Sequence, residues 1–88
     1  MHPKFAEFMT GKPDALLIGA LRLVDAKPNP DEHERMTRAA LIEELENRHP
    51  DASAAVEIAF DSAQLALMET GVEPEVDYVA VLLAAISA

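Results

Sequence analysis

The longest regular pattern of apolar and polar positions runs from residue 50 to residue 71. At the 100° per residue of an α-helix, one row of apolar side chains forms a predicted core face. This row consists of Ala52, Val56, Ala59, Phe60, Ala63 and Leu67. A second, narrower row of Ala54, Ile58 and Leu65 falls on the opposite side and is interrupted by Asp61. Because a surface helix normally carries one apolar stripe, two rows predict a helix that either packs on both sides or keeps one face for a partner.

Proline followed by an acid marks the beginning of four predicted helices. The four pairs are Pro13-Asp14, Pro30-Asp31, Pro50-Asp51 and Pro74-Glu75. Proline is favoured at the first helical position, and an acid in the first turn faces the positive end of the helix dipole. The sequence therefore predicts an all-α fold, a compact bundle of four main helices over about 13–26, 30–48, 51–70 and 74–87. A short N-terminal helix is predicted over about 3–9, and residues 1–88 form a single predicted domain.

The four main helices differ in how much of their surface is apolar. The helix over 13–26 is apolar on most sides, so it is predicted to be largely buried, with Ala15 and Gly19 on its remaining side. The helix over 30–48 is predicted to be the most exposed, because acids precede bases by four residues in three places. These places are Asp31–Arg35, Glu34–Arg38 and Glu44–Arg48. The inward side of the last helix is predicted to carry Val76, Val79, Leu82, Leu83 and Ile86.

Charge is distributed unevenly along the chain. The formal net charge is −9, and all seven lysines and arginines lie between Lys4 and Arg48. Residues 49–88 contain seven acids and no lysine or arginine. A field of this sign repels nucleic-acid phosphates and anionic lipids, so neither direct nucleic-acid binding nor membrane binding is predicted. The predicted partner is a basic protein, and a nucleic-acid-binding protein is one class that fits.

The candidate partner-binding residues are the acids of the second half and two apolar side chains beside them. They are Glu57, Asp61, Glu69, Glu73, Glu75, Asp77, Ile58 and Leu65. An acidic helical surface of this kind suits a regulator or inhibitor that occupies a basic site, as a nucleic-acid mimic does. Two alternatives stay open. In the first, the acids only keep the exterior of the protein soluble. In the second, the row of Ala54, Ile58 and Leu65, or Val81 on the last helix, packs across a two-fold axis in a homodimer or other homo-oligomer.

Catalytic and cofactor chemistry has little support in the sequence. There is no cysteine, and the three glycines are too few for a glycine-rich phosphate loop. The segment His33-Glu34-Arg35-Met36-Thr37 has threonine where a zinc-protease helix carries its second histidine. The sequence therefore predicts a protein that is not an enzyme and that holds no metal and no cofactor.

One short segment resembles a known family. Asp61-Ser62-Ala63 is similar to the Asp-Ser-Leu motif of small acidic four-helix carrier proteins, in which the serine at a helix start bears phosphopantetheine. The resemblance covers three residues, together with acidic charge, size and helical class. It implies a carrier-type protein modified at Ser62. The chain departs from the motif in having Ala63 for leucine and in placing Ser62 in the middle of a predicted helix.

The apolar runs are short. The longest, over 78–88, is 11 residues, against the approximately 18 or more that a membrane-spanning helix needs. The N-terminal segment has no long apolar run after its first positive charge, so no secretory signal is predicted. The predicted location is the cytoplasm.

Overall fold

The computed structural model describes residues 7–87, which contain four long helices and, within that range, no strand. We number these helices α1 (Asp14–Asp25), α2 (Glu32–Arg48), α3 (Pro50–Thr70) and α4 (Tyr78–Ser87). Residues 7–9 are also helical and belong to the short N-terminal helix predicted over 3–9, whose first part lies outside the described residues. The predicted all-α class is confirmed. The chain divides into two compact units at the junction between Arg48 and His49.

In the first unit, α1 packs against α2. Its buried side chains are Met9, Leu17, Leu21, Ala40, Leu41 and Leu45, each at most 4% exposed. Leu17 and Leu21 are one turn apart on α1, and Leu41 and Leu45 are one turn apart on α2, so each helix buries a stripe at helical spacing.

Arg48, the last residue of α2, connects three segments of the first unit. Its guanidinium donates hydrogen bonds to the backbone carbonyls of Met9 at 2.9 Å and Lys12 at 2.5 Å. It also donates to the carboxylates of Asp14 at 3.1 Å and Glu44 at 3.2 Å. The bond to Asp14 is the main cause that raises the pKa of Arg48 above its ordinary value. The planar fork of an arginine suits this role because it directs several donors at once.

The connection between α1 and α2 is held by ion pairs and by a helix cap. The backbone N–H of Glu34 donates to the Asp31 side chain at 2.7 Å, and the N–H of Asp31 donates to the Glu34 side chain at 3.1 Å, which is a reciprocal capping box. The Glu34 carboxylate also pairs with Lys27. The hydrogen bond from Lys27 is the largest cause that lowers the pKa of Glu34, followed by the bond from Asp31.

Of the three ion pairs predicted on α2, only Glu44–Arg48 forms. Glu34 is engaged by Lys27, and the predicted partner Arg38 pairs instead with Asp25 at 2.9 Å. Arg35 donates to the carbonyl of Pro30 at 2.8 Å rather than to Asp31. The i,i+4 rule applies to an isolated helix. Here the end of α1 and the following connector offer α2 competing partners.

The second unit is a pair of helices in which α3 packs against α4. Its buried side chains are Ala52, Ala63, Val79, Leu82 and Leu83. Pro50 occupies the first turn of α3, as predicted. Gly71 ends the helix in the left-handed region at φ 74°, and its N–H donates to the carbonyl of Leu67 at 2.8 Å. Both ends of α3 agree with the sequence because each is determined by one local residue.

The beginning predicted for the last helix at residue 74 is wrong. α4 begins at Tyr78, and residues 71–77 form a connector. The side chain of Asp77 accepts a hydrogen bond from the N–H of Ala80 at 3.1 Å, and its carbonyl accepts one from Val81. Asp77 is therefore the N-cap, and a capping acid, not the Pro74-Glu75 pair, determines where this helix starts.

The beginnings of the first two long helices are shifted by a smaller amount. Pro13 has extended ψ of 153° and lies just before α1, while Asp31, not Pro30, is the residue that caps α2. α1 is also less buried than predicted. Leu16 is 53% exposed, Leu23 is 74% exposed, and no atom lies within 4 Å of a Cβ placed on Gly19.

Candidate functional site

The outward side of α3 carries five residues at alternating spacings of four and three. We call Ala54, Ile58, Asp61, Leu65 and Met68 the outer row. All five are exposed, and the exposed fractions of Ile58, Leu65 and Met68 are 67%, 57% and 83%. Spacings of four and three repeat every seven residues, which keeps a row on one side of a helix for several turns. The outer row has the periodicity of a helix-docking surface.

The opposite side of α3 contributes to the core of its unit less completely than predicted. Ala52 and Ala63 are buried, and Val56 and Leu67 are half-buried. Phe60 stays 51% exposed, although its ring lies 6.3 Å from that of Tyr78 at an interplanar angle of 47°. The geometry is that of a tilted aromatic contact. The prediction that Phe60 is a core residue is therefore wrong. α4 is shorter than predicted, ten residues or about 15 Å against about 31 Å for α3, so it is too short to cover the whole length of α3.

Acidic side chains lie within and beside the outer row. Glu57, Asp61 and Glu69 are exposed on α3. The ion pairs found among residues 7–87 involve other acids and none of these three. Residues 49–88 contain no lysine or arginine, so the second unit has no cation of its own to offer them. Glu57 and Asp61 are four residues apart on one helix, an arrangement in which like charges repel each other.

The remaining predicted partner-binding acids lie in the connector between α3 and α4. Glu73 and Glu75 are exposed there. Asp77 is the N-cap of α4, and its carboxylate accepts a hydrogen bond from the backbone N–H of Ala80. The structure thus places Glu57, Ile58, Asp61, Leu65 and Glu69 together on α3. Asp77 lies outside this helix and serves as the cap of α4.

Met68 was missed from the sequence, although it is the most exposed large apolar side chain of α3. Its position three residues after Leu65 continues the spacing of four and three, and this regularity was the signal that could have identified it. Val72, which lies past the end of the helix, is 69% exposed.

The residues considered for chemistry are placed as follows. Ser62 is exposed in the middle of α3, whereas the carrier family places its modified serine at a helix start. His33 is exposed in the first turn of α2. Within residues 7–87, no three histidine, aspartate or glutamate side chains are close enough to hold one metal ion. None of the helices described is both long enough and apolar enough to cross a membrane.

The chain matches no protein-family model, no curated protein and no solved structure. The features that bear on its function are therefore its own: the exposed outer row of α3, the acids beside it and the absence of lysine and arginine from residues 49–88.

Proposed function

We propose that this protein is a non-enzymatic binding module that docks the acidic side of α3 on a basic partner protein. It acts as a regulator or inhibitor by covering a basic surface of that partner. The observation that carries this proposal is the group of Glu57, Asp61 and Glu69, which are exposed, close to exposed Ile58 and Leu65, and without ion-pair partners among residues 7–87.

Electrostatic complementarity supports a partner of this charge. Acids that are not used by caps or ion pairs keep a negative potential over the outward side of α3, and this potential accelerates encounter with a positive surface. Dissolved salt screens this electrostatic attraction, which becomes weak beyond about 8 Å at physiological ionic strength. Association should therefore weaken as salt is added, which distinguishes it from a purely apolar contact.

The experiment is affinity capture from lysate of the native host, with the intact chain as bait and a set of matched variants. The test variant carries Glu57→Gln, Asp61→Asn and Glu69→Gln. The control carries Glu7→Gln, Glu32→Gln and Glu43→Gln, which remove the same number of exposed charges from the first unit. We expect the test variant to lose at least about tenfold in capture of a basic protein, and the control to retain it. Equal capture by all three baits, or capture that ignores salt, would contradict the proposal.

A nucleic-acid-binding protein is the partner class that we propose in particular, because its basic site already recognises dense negative charge. The captured protein is tested by competition between this chain and a nucleic acid. We expect each to displace the other from the captured protein. Simultaneous binding of both would exclude the mimic interpretation while leaving the docking module in place.

A second candidate is a structural homo-oligomer, which the exposure of Ile58, Leu65 and Met68 favours. Three large apolar side chains at helical spacing are a common basis for packing between identical chains. Light scattering distinguishes the two functions, because a chain that remains a monomer at high micromolar concentration is not a homo-oligomer.

A further inference from the structure

The outer row of α3 is an exposed, mostly apolar row with a charge at its centre. Asp61 is the third of its five residues, with Ala54 and Ile58 on one side and Leu65 and Met68 on the other. From the first to the last member the row extends about 21 Å, or four helical turns. An extended apolar row of this length fits one helix of a partner lying along α3.

Asp61 determines which kind of helix fits. If a partner helix covered the row with apolar side chains alone, the carboxylate would lose water without gaining a counter-ion, and this is strongly unfavourable. A lysine or arginine opposite Asp61 removes that cost. It also offsets the repulsion between Asp61 and Glu57, which lie one turn apart.

A second copy of the same row does not meet this requirement. In a symmetric pairing, each Asp61 faces Ile58, Leu65 or the other Asp61, depending on register. No counter-ion comes from the second α3, because that helix contains no lysine, arginine or histidine. The charge at the centre therefore acts against self-pairing and in favour of a basic partner, as a single polar residue does in a coiled-coil seam.

We propose that the outer row binds a single amphipathic helix of a partner protein, which packs apolar side chains at spacings of three and four along α3 and places a lysine or arginine against Asp61. The inference rests on the proposed function and specifies the chemistry of its partner.

The test uses the intact chain and three synthetic helical peptides of 21 residues in fluorescence anisotropy. One peptide has leucines at spacings of three and four with a central arginine, the second has glutamate in place of the arginine, and the third is a scramble of the first. Because Asp61 is central, the arginine meets it in either peptide direction. We expect the arginine peptide to bind more than about tenfold tighter than the other two.

Variants of the chain identify the contacts. Asp61→Arg should reverse the preference, so that the glutamate peptide binds tighter than the arginine peptide. Ile58→Ser with Leu65→Ser should weaken binding of the arginine peptide by more than about tenfold. The control, Leu16→Ser with Leu23→Ser, removes two equally exposed leucines from α1 and should leave binding unchanged. Circular dichroism verifies that each variant is folded. If one of the two double serine variants unfolds, the reversed peptide preference of Asp61→Arg still tests whether the peptide binds at the outer row.

Several outcomes would overturn this inference. If the scrambled peptide bound as tightly as the arginine peptide, the surface would recognise positive charge without a helical seam, and the proposed function would survive alone. If none of the peptides bound, the seam would be excluded, and affinity capture would continue to test the proposed function. If the natural chain formed a dimer that Ile58→Ser abolished, the occupant would be a second copy.

Discussion

At the scale of single residues, Arg48 shows how one side chain determines the local fold. Its four hydrogen bonds reach the backbone before α1, the first residue of α1 and the preceding turn of α2. The two bonded carbonyls, those of Met9 and Lys12, flank Gly11, which has φ of 80°. Arg48 thereby fixes the short N-terminal helix and its turn to the end of α2.

We predict that Arg48→Lys lowers the thermal midpoint of unfolding by several degrees. A lysine preserves the charge but has no planar fork, so it cannot donate to Met9, Lys12 and Asp14 together. Differential scanning calorimetry at neutral pH measures the effect. Arg22→Lys, a change at an exposed arginine of α1, is the matched control and should leave the midpoint nearly unchanged. Equal midpoints for the two variants would show that the Arg48 contacts contribute nothing to stability.

At the scale of elements, the helix boundaries show what local sequence can and cannot specify. Both ends of α3 were predictable, because Pro50 suits the first turn and Gly71 accepts the left-handed conformation. The beginning of α4 was not, because Pro74-Glu75 and Asp77 are both acceptable local signals three residues apart. The helix begins directly after Asp77, whose side chain accepts a hydrogen bond from the N–H of Ala80.

We predict opposite effects for alanine at two glycines. Gly19→Ala should increase the free energy of unfolding by about 0.5–1 kcal/mol, because the residue lies within α1 and its Cβ would meet no atom within 4 Å. Gly71→Ala should decrease it by about 1–2 kcal/mol, because φ of 74° is strained for any residue with a Cβ. Urea denaturation measures both. A destabilising Gly19→Ala would indicate that another backbone lies against that side of α1.

Burial was less predictable than helix position. The sequence identified the buried residues of α4, since Val79, Leu82 and Leu83 are 5%, 1% and 9% exposed. It placed Phe60 in the core of the second unit, where the ring is instead half-exposed. Helical spacing tells which side chains share a face, but not how long the neighbouring helix is. α4 extends over ten residues, about half the number in α3, so part of the apolar surface of α3 has no covering helix within its own unit.

At the scale of the whole molecule, the two units differ in their balance of acidic and basic residues. Four of the nine acids of the first unit pair with Arg48, Lys27 or Arg38, whereas residues 49–88 contain no lysine or arginine. This part of the candidate site could be predicted from the sequence alone, because it needs only the order of residues. Met68 could also have been identified from its spacing, whereas the role of Asp77 as a helix cap could not be predicted without the structure. The single domain predicted for residues 1–88 stays a prediction.

The central claim, that the outer row of α3 is the docking surface, is tested most directly by NMR on the intact ¹⁵N-labelled chain. The captured partner, or the peptide with the central arginine, is added in steps while the backbone amide signals are recorded. We expect the largest shifts on residues 54–72, and we expect Asp61→Arg to abolish them. Shifts centred on the exposed leucines of α1, or spread evenly over every acidic residue of the chain, would contradict it.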